Sequence, residues 1–189
     1  IHGGVRIGVI IAAYGATDDA AKEAITNIAM QVAAMNPQYI SRNDISDEEL
    51  AKLREITVDS ALNDATTLPK PILNKLIDKA INEKLWSDDD INNFNEHKNN
   101  MNFVWNFLSD AAKAKLGELA MADKESIVAE KMFNGLVEGR VSKQLKEICL
   151  LDQTYVKAED GKQSVAKYLE SVSKDLTITE MVRFEVGEG

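Results

Sequence analysis

Strand-like patterns occur at the two ends of this chain and nowhere convincing between them, which limits the possible folds more than any other feature. Val5, Ile7, Val9 and Ile11 alternate with Arg6, Gly8, Ile10 and Ala12, the two-residue period of a strand with one face in a core. A second run extends from Ile178 to Val186 and is bounded by Gly187. In it Phe184 and Val186 share one face and suit the core, with Arg183 and Glu185 outward. From about Ser46 to Glu147 the chain has few glycines and repeated helix caps. The predicted fold class is therefore α+β. A small antiparallel sheet packed on helices is built from residues 1–45 and 148–189, with an inserted antiparallel helical hairpin or bundle, coiled-coil-like, over 46–147.

Caps and periodicity place the helices. Thr17 and Asp18 precede a stripe of Ala21, Ala24, Ile25, Ile28, Ala29, Val32 and Ala33 that ends at Asn36-Pro37. Ser46-Asp47-Glu48-Glu49 reads as a capping box, continued by Leu50, Leu53 and Thr57. After Pro69 and Pro71, Leu73, Leu76, Ile77, Ala80 and Ile81 trace one helical face. Ser87-Asp88-Asp89-Asp90 opens another helix, Phe103, Phe107, Leu108 and Ala111 mark a longer one, and Asp123 is expected to cap a last helix through Val137, Val141 and Leu145. Val165, Tyr168, Leu169 and Val172 predict a short helix before the final strand.

Charge and composition exclude several functions. With 31 acidic against 22 basic side chains the net charge is −9, which repels phosphate backbones, so direct nucleic-acid binding is not expected. The longest apolar run, Val9 to Tyr14, falls far short of the ~20 residues that span a bilayer, so no membrane association is expected. The lone Cys149 has no disulfide partner in the chain, which suits a reducing cytoplasm, and it reads as a small buried hydrophobe. The chain starts at Ile1 and enters a strand at once, the pattern expected of a fragment of a longer protein.

Chemistry-bearing motifs are few. Asp88-Asp89-Asp90 lacks the glycine and closing glutamate of a calcium loop, since Asn93 and Asn99 occupy those places, and reads instead as acidity complementing a helix start. Gly135 and Gly139 read as a site of close helix packing. His2, His97 and Cys149 are too scattered for a zinc set, and no nucleophile elbow or phosphate loop is present. No enzyme activity and no cofactor are expected.

Five blocks in one order resemble the C-terminal half of elongation factor Ts. They are His2-Gly3 followed by Arg6-Ile7-Gly8-Val9, then Ile28 to Ala34 before Asn36-Pro37, then Glu138-Gly139-Arg140-Val141-Ser142-Lys143, then Gln153-Thr154-Tyr155-Val156, then Arg183 to Gly189. Between about residues 60 and 122 the likeness lapses, because the chain has helices beyond the family's short coiled coil. The resemblance implies a guanine-nucleotide exchange factor for elongation factor Tu in its GDP-bound or nucleotide-free state, promoting GDP release during translation elongation. The family's N-terminal helical domain and its Thr-Asp-Phe-Val segment have no counterpart here, since no phenylalanine follows Thr17-Asp18-Asp19.

What the resemblance implies for contacts is specific. His2 and Gly3 match the histidine near the midpoint of the family's core, and Gln153, Tyr155 and Val156 match its Gln-Pro-Phe-Val segment, whose apolar pair meets the partner. Thr154 replaces the proline and Lys157 the methionine found in some members. Read alone, His2 could equally be a solvent-exposed terminal residue, and Tyr155 and Val156 ordinary strand core. The alternative reading from the residues is self-association through the helical insertion or the sheet edge.

Overall fold

The computed structural model describes residues 6–187 of the 189-residue chain. Of these, residues 6–47 and 142–187 form one compact unit, and Glu48–Val141 form a second.

The first unit is mixed α and β. Strand β1 (Arg6–Tyr14) pairs antiparallel with β2 (Thr177–Val186) from Arg6 opposite Val186 to Tyr14 opposite Thr177. Helix α1 (Asp19–Met35) starts where the Asp18 carboxylate accepts the Ala21 N–H at 3.0 Å, and it stops at Asn36, whose left-handed backbone (φ 47°) ends the hydrogen-bond ladder. The core joins Ala21, Ala24, Ile28 and Val32 of α1 to Leu150, Tyr155, Leu176 and Ile178, with Val9, Ile11, Ala13 and Met181 of the sheet packed against them.

On β2, Phe184, Val186 and Arg183 depart from the sequence expectation, while Glu185 is exposed as expected. Phe184 and Val186 are 46% and 57% exposed, whereas the Arg183 side chain is only 14% exposed and donates to the Ala33 carbonyl at 3.1 and 3.3 Å. The cause is a bulge: Ala12 faces Glu180 and Ala13 faces Ile178, so Thr179 is the extra residue. Ile178 and Met181, three apart, thereby both turn inward. Val182, Phe184 and Val186 then fall on the outer face with Ile10, and Arg183 satisfies a carbonyl near the end of α1 that the helix itself leaves open. On β1, Ile7 is also half-exposed, and Ala13 rather than Ile7 extends the buried face. Val5 lies outside the described residues.

The second unit contains α2 (Asp47–Asn63), α3 (Lys70–Asn82), α4 (Asp88–His97), α5 (Asp110–Ala122), α6 (Lys124–Val128) and most of α7 (Lys131–Ile148). Its largest fully buried side chains include Leu62, Ile77, Val104, Leu116, Phe133 and Val137. Ser87 caps α4 and Ser109 caps α5, and the buried Asp90 carboxylate accepts from both serine hydroxyls and from the Ser109 N–H at 2.7 to 2.9 Å. Trp86 donates its indole N–H to the Ala112 carbonyl at 3.0 Å and meets Phe94 edge-on.

Three details of this region differ from the sequence expectation. Phe103 to Ala111 is not one helix: a 3₁₀ turn over Val104–Phe107 precedes the Ser109 cap, and Phe103 and Phe107 stay exposed. Asp123 makes no side-chain cap, and its helix is broken at Ala129–Glu130, where Asn134 Nδ2 donates to the Val128 carbonyl at 3.0 Å. Gly135 and Gly139 face open space. The close approach is at Gly117, where a β-carbon would lie 2.8 Å from the Asn63 carbonyl oxygen.

Candidate partner-binding site

The Gln153–Val156 segment is built onto α1 through one buried glutamine. Gln31 sits on the apolar stripe of the helix, between Ile28 and Val32, and is fully buried. Burying a carboxamide costs free energy unless every polar atom finds a partner. Gln31 Nε2 donates to Gln153 Oε1 and to the Thr154 carbonyl, both at 3.1 Å, and its Oε1 accepts the Val156 N–H at 2.8 Å. Gln153, itself 3% exposed, passes the chain on by donating to the Glu147 carbonyl at 2.7 Å.

The other side of the segment is held by backbone. Tyr155 N–H donates to the Gln163 carbonyl at 2.8 Å, and Val165 N–H to the Gln153 carbonyl at 2.9 Å. Helix α8 (Val165–Val172), capped by Ser164, brings Tyr168 to stack on Tyr155 with centroids 4.0 Å apart. Burial, then the neighbouring Tyr168 hydroxyl, pushes the Tyr155 phenol up to about 12, so it stays neutral at physiological pH. Asn27 links the stack to the surface, donating to the Tyr168 hydroxyl at 3.0 Å and accepting from Lys157 Nζ at 2.9 Å.

The expected contact residues therefore separate. Gln153 and Tyr155 are buried, and Tyr155 belongs to the core rather than the surface; Val156 is 51% exposed. His2 and Gly3 lie outside the described residues. Beside Val156 an open cleft of about 400 Å³ is lined by Tyr155, Lys157, Glu159, Asp160, Gln163 and Tyr168. The Asp160 carboxylate is held below its usual range by the backbone N–H groups of Lys162 and Gln163 at 2.8 and 2.9 Å. Gln31 and Asn27 escape a reading based on surface chemistry. The available signal is that Gln31, seven residues after Ala24 and three after Ile28, is a polar residue on an otherwise apolar stripe.

Among the described residues no group of three His, Cys, Asp or Glu side chains could hold a metal, and no helix is long and apolar enough to cross a membrane. Cys149 is free and fully buried, and burial, with the nearby Asp152 carboxylate next, raises its thiol above the usual range.

The arrangement is that of an α+β module in which half-exposed Val156 sits on a segment hydrogen-bonded to α1, with a helical unit inserted between its two stretches of sequence. The family model described as elongation factor TS matches residues 1–95 and 87–188. The chain is 32% identical over 192 residues to elongation factor Ts of Clostridioides difficile strain 630, with all of this chain and 43% of that one covered. It is 34% identical over 194 residues to elongation factor Ts of Clostridium perfringens strain 13, again covering 43% of that protein, and 28% identical over 196 residues to the Heliobacterium modesticaldum protein, covering 62% of it. The chain belongs to the elongation factor Ts family, and it spans less than two thirds of the length of these relatives.

Proposed function

We propose that this chain is the partner-binding C-terminal part of a guanine-nucleotide exchange factor that acts on elongation factor Tu in the cytoplasm during translation elongation. The observation that carries this reading is Val156, exposed on a segment fixed to α1, in the stretch that resembles the family's apolar contact pair. An exposed β-branched residue on a pre-ordered loop loses little entropy on docking and makes an effective interface anchor. His2 and Gly3, before β1, are assigned as further contacts on the family likeness. No bond is made or broken by such a factor. It acts by linkage: a protein that binds the nucleotide-free partner more tightly than the GDP-bound one must weaken GDP by the same coupling, typically about 1–3 kcal/mol.

Binding of the chain to elongation factor Tu without nucleotide, with GDP, and with excess GDP and magnesium tests the proposal. Tighter binding to the empty form is expected if the coupling resides here. Equal affinity in all three would make the chain a docking module without exchange activity, and no binding would reject the reading.

A second reading, self-association, is favoured by the outer face of the sheet, where Ile10, Val182, Phe184 and Val186 are each about half exposed. A sedimentation mass that rises with concentration in the native chain but not in Phe184→Ser would support it. A constant monomer mass would remove it.

A further inference from the structure

We infer that Gln31 is the positioning residue of the contact segment, holding Val156 in the orientation that meets the partner; this rests on the docking function proposed above. The geometry is selective for a carboxamide. Of its two ends, the amine faces two acceptors, Gln153 Oε1 and the Thr154 carbonyl, while the oxygen faces one donor, the Val156 N–H. Exchanging oxygen and nitrogen would set donor against donor and acceptor against acceptor, so the surroundings fix the orientation of the group. Packing does not require a polar residue there, because the neighbouring stripe positions Ala24, Ile28 and Val32 are apolar and equally buried. What a glutamine adds is a bridge from a helix to the backbone on both sides of Tyr155. No buried side-chain nitrogen or oxygen among the described residues lacks a partner, so the network is complete and its loss would leave several groups unpaired together.

Gln31→Met keeps approximate volume and removes both hydrogen-bonding atoms. With the acceptor of the Val156 N–H and the donor to the Thr154 carbonyl and Gln153 Oε1 removed, exchange of the Val156 amide should accelerate roughly tenfold to a hundredfold while amides in the middle of α1 keep their protection. Affinity for nucleotide-free elongation factor Tu, measured in a cycle with Val156→Ala, supplies the second readout. Each single substitution is expected to weaken binding roughly tenfold, and the double mutant to bind no more than about twofold worse than Val156→Ala alone. Losses that simply multiply, or a Gln31→Met chain that binds like the native one, would overturn the inference. If Val156→Ala itself binds unchanged, the docking reading is what fails, and the exchange rate of the Val156 amide still decides whether Gln31 holds the segment. Should Gln31→Met not fold, the native protein carries the test: a Val156 amide that exchanges as fast as an exposed loop would reject the clamp.

Discussion

Gly15 holds a backbone conformation, φ +107°, that residues with a β-carbon rarely adopt, and a β-carbon there would overlap the Asp175 carbonyl oxygen. Neither backbone can yield without moving a strand end. Gly15→Ala is therefore expected to destabilise the fold by about 2–3 kcal/mol in urea titration. Gly8 offers a contrast, because the atoms a β-carbon would meet belong to the ring of half-exposed Phe184, which can swing aside. The same titration should show less than ~1 kcal/mol for Gly8→Ala. Asp90 makes a pH prediction. Its burial pushes the carboxyl up, but the Ser109 N–H, the Ser109 hydroxyl and the Ser87 hydroxyl together outweigh burial and hold it below the usual aspartate range. A group whose native pKa is depressed contributes stability above its unfolded value, near ~4, and loses that contribution as pH falls through its native value. Asp90→Asn should cost about 1–3 kcal/mol at neutral pH and flatten the fall in stability on acidification, as read by denaturation at a series of pH values.

At the scale of elements, the bulge at Thr179 decides which side of β2 is core. Deleting Thr179 would leave Ile178 opposite Ala13 and Glu180 opposite Ala12, restoring regular alternation with Ile178 and Met181 still on the inner face. The change in stability should therefore stay within about 1 kcal/mol by thermal or urea unfolding. Arg183→Ala should cost about 1–2 kcal/mol, since a charged donor is withdrawn from the Ala33 carbonyl, and Arg183→Lys should recover only part of it. These elements also mark where sequence was readable. Asp18 and Ser87 announce helix starts because a cap is a local chemical fact, and each side chain makes its expected bond, whereas Asp123 makes none. The orientation of β2 was not readable, because one extra residue reverses the parity of everything before it and nothing in Thr179 itself signals a bulge. The candidate site divides in the same way. Val156 is exposed, as a surface contact requires, whereas the burial of Tyr155 depends on Tyr168 arriving from α8 and the bonds of Gln31 on a partner more than a hundred residues away. Non-local partners of that kind leave only an indirect trace, a polar residue where the stripe is apolar.

For the whole molecule, the informative fact is that the two-stranded sheet joins β1 to β2, the first and last elements among the described residues. Contacts within the helical unit span far shorter loops than the one that closes the sheet, and closure entropy grows with loop length. Pulse-labelled hydrogen exchange during refolding should find amides of α3 and α5 protected no later than those of β1. Protection of β1 ahead of both helices would contradict this order. On a ribosome the separation becomes a delay. β1 must wait, its backbone unpaired and its Val9 and Ile11 side uncovered, until the residues that separate it from β2 have been made. A chain cut short before Thr177 would thus keep a waiting strand that never finds its mate, a natural target for aggregation or for proteolytic quality control.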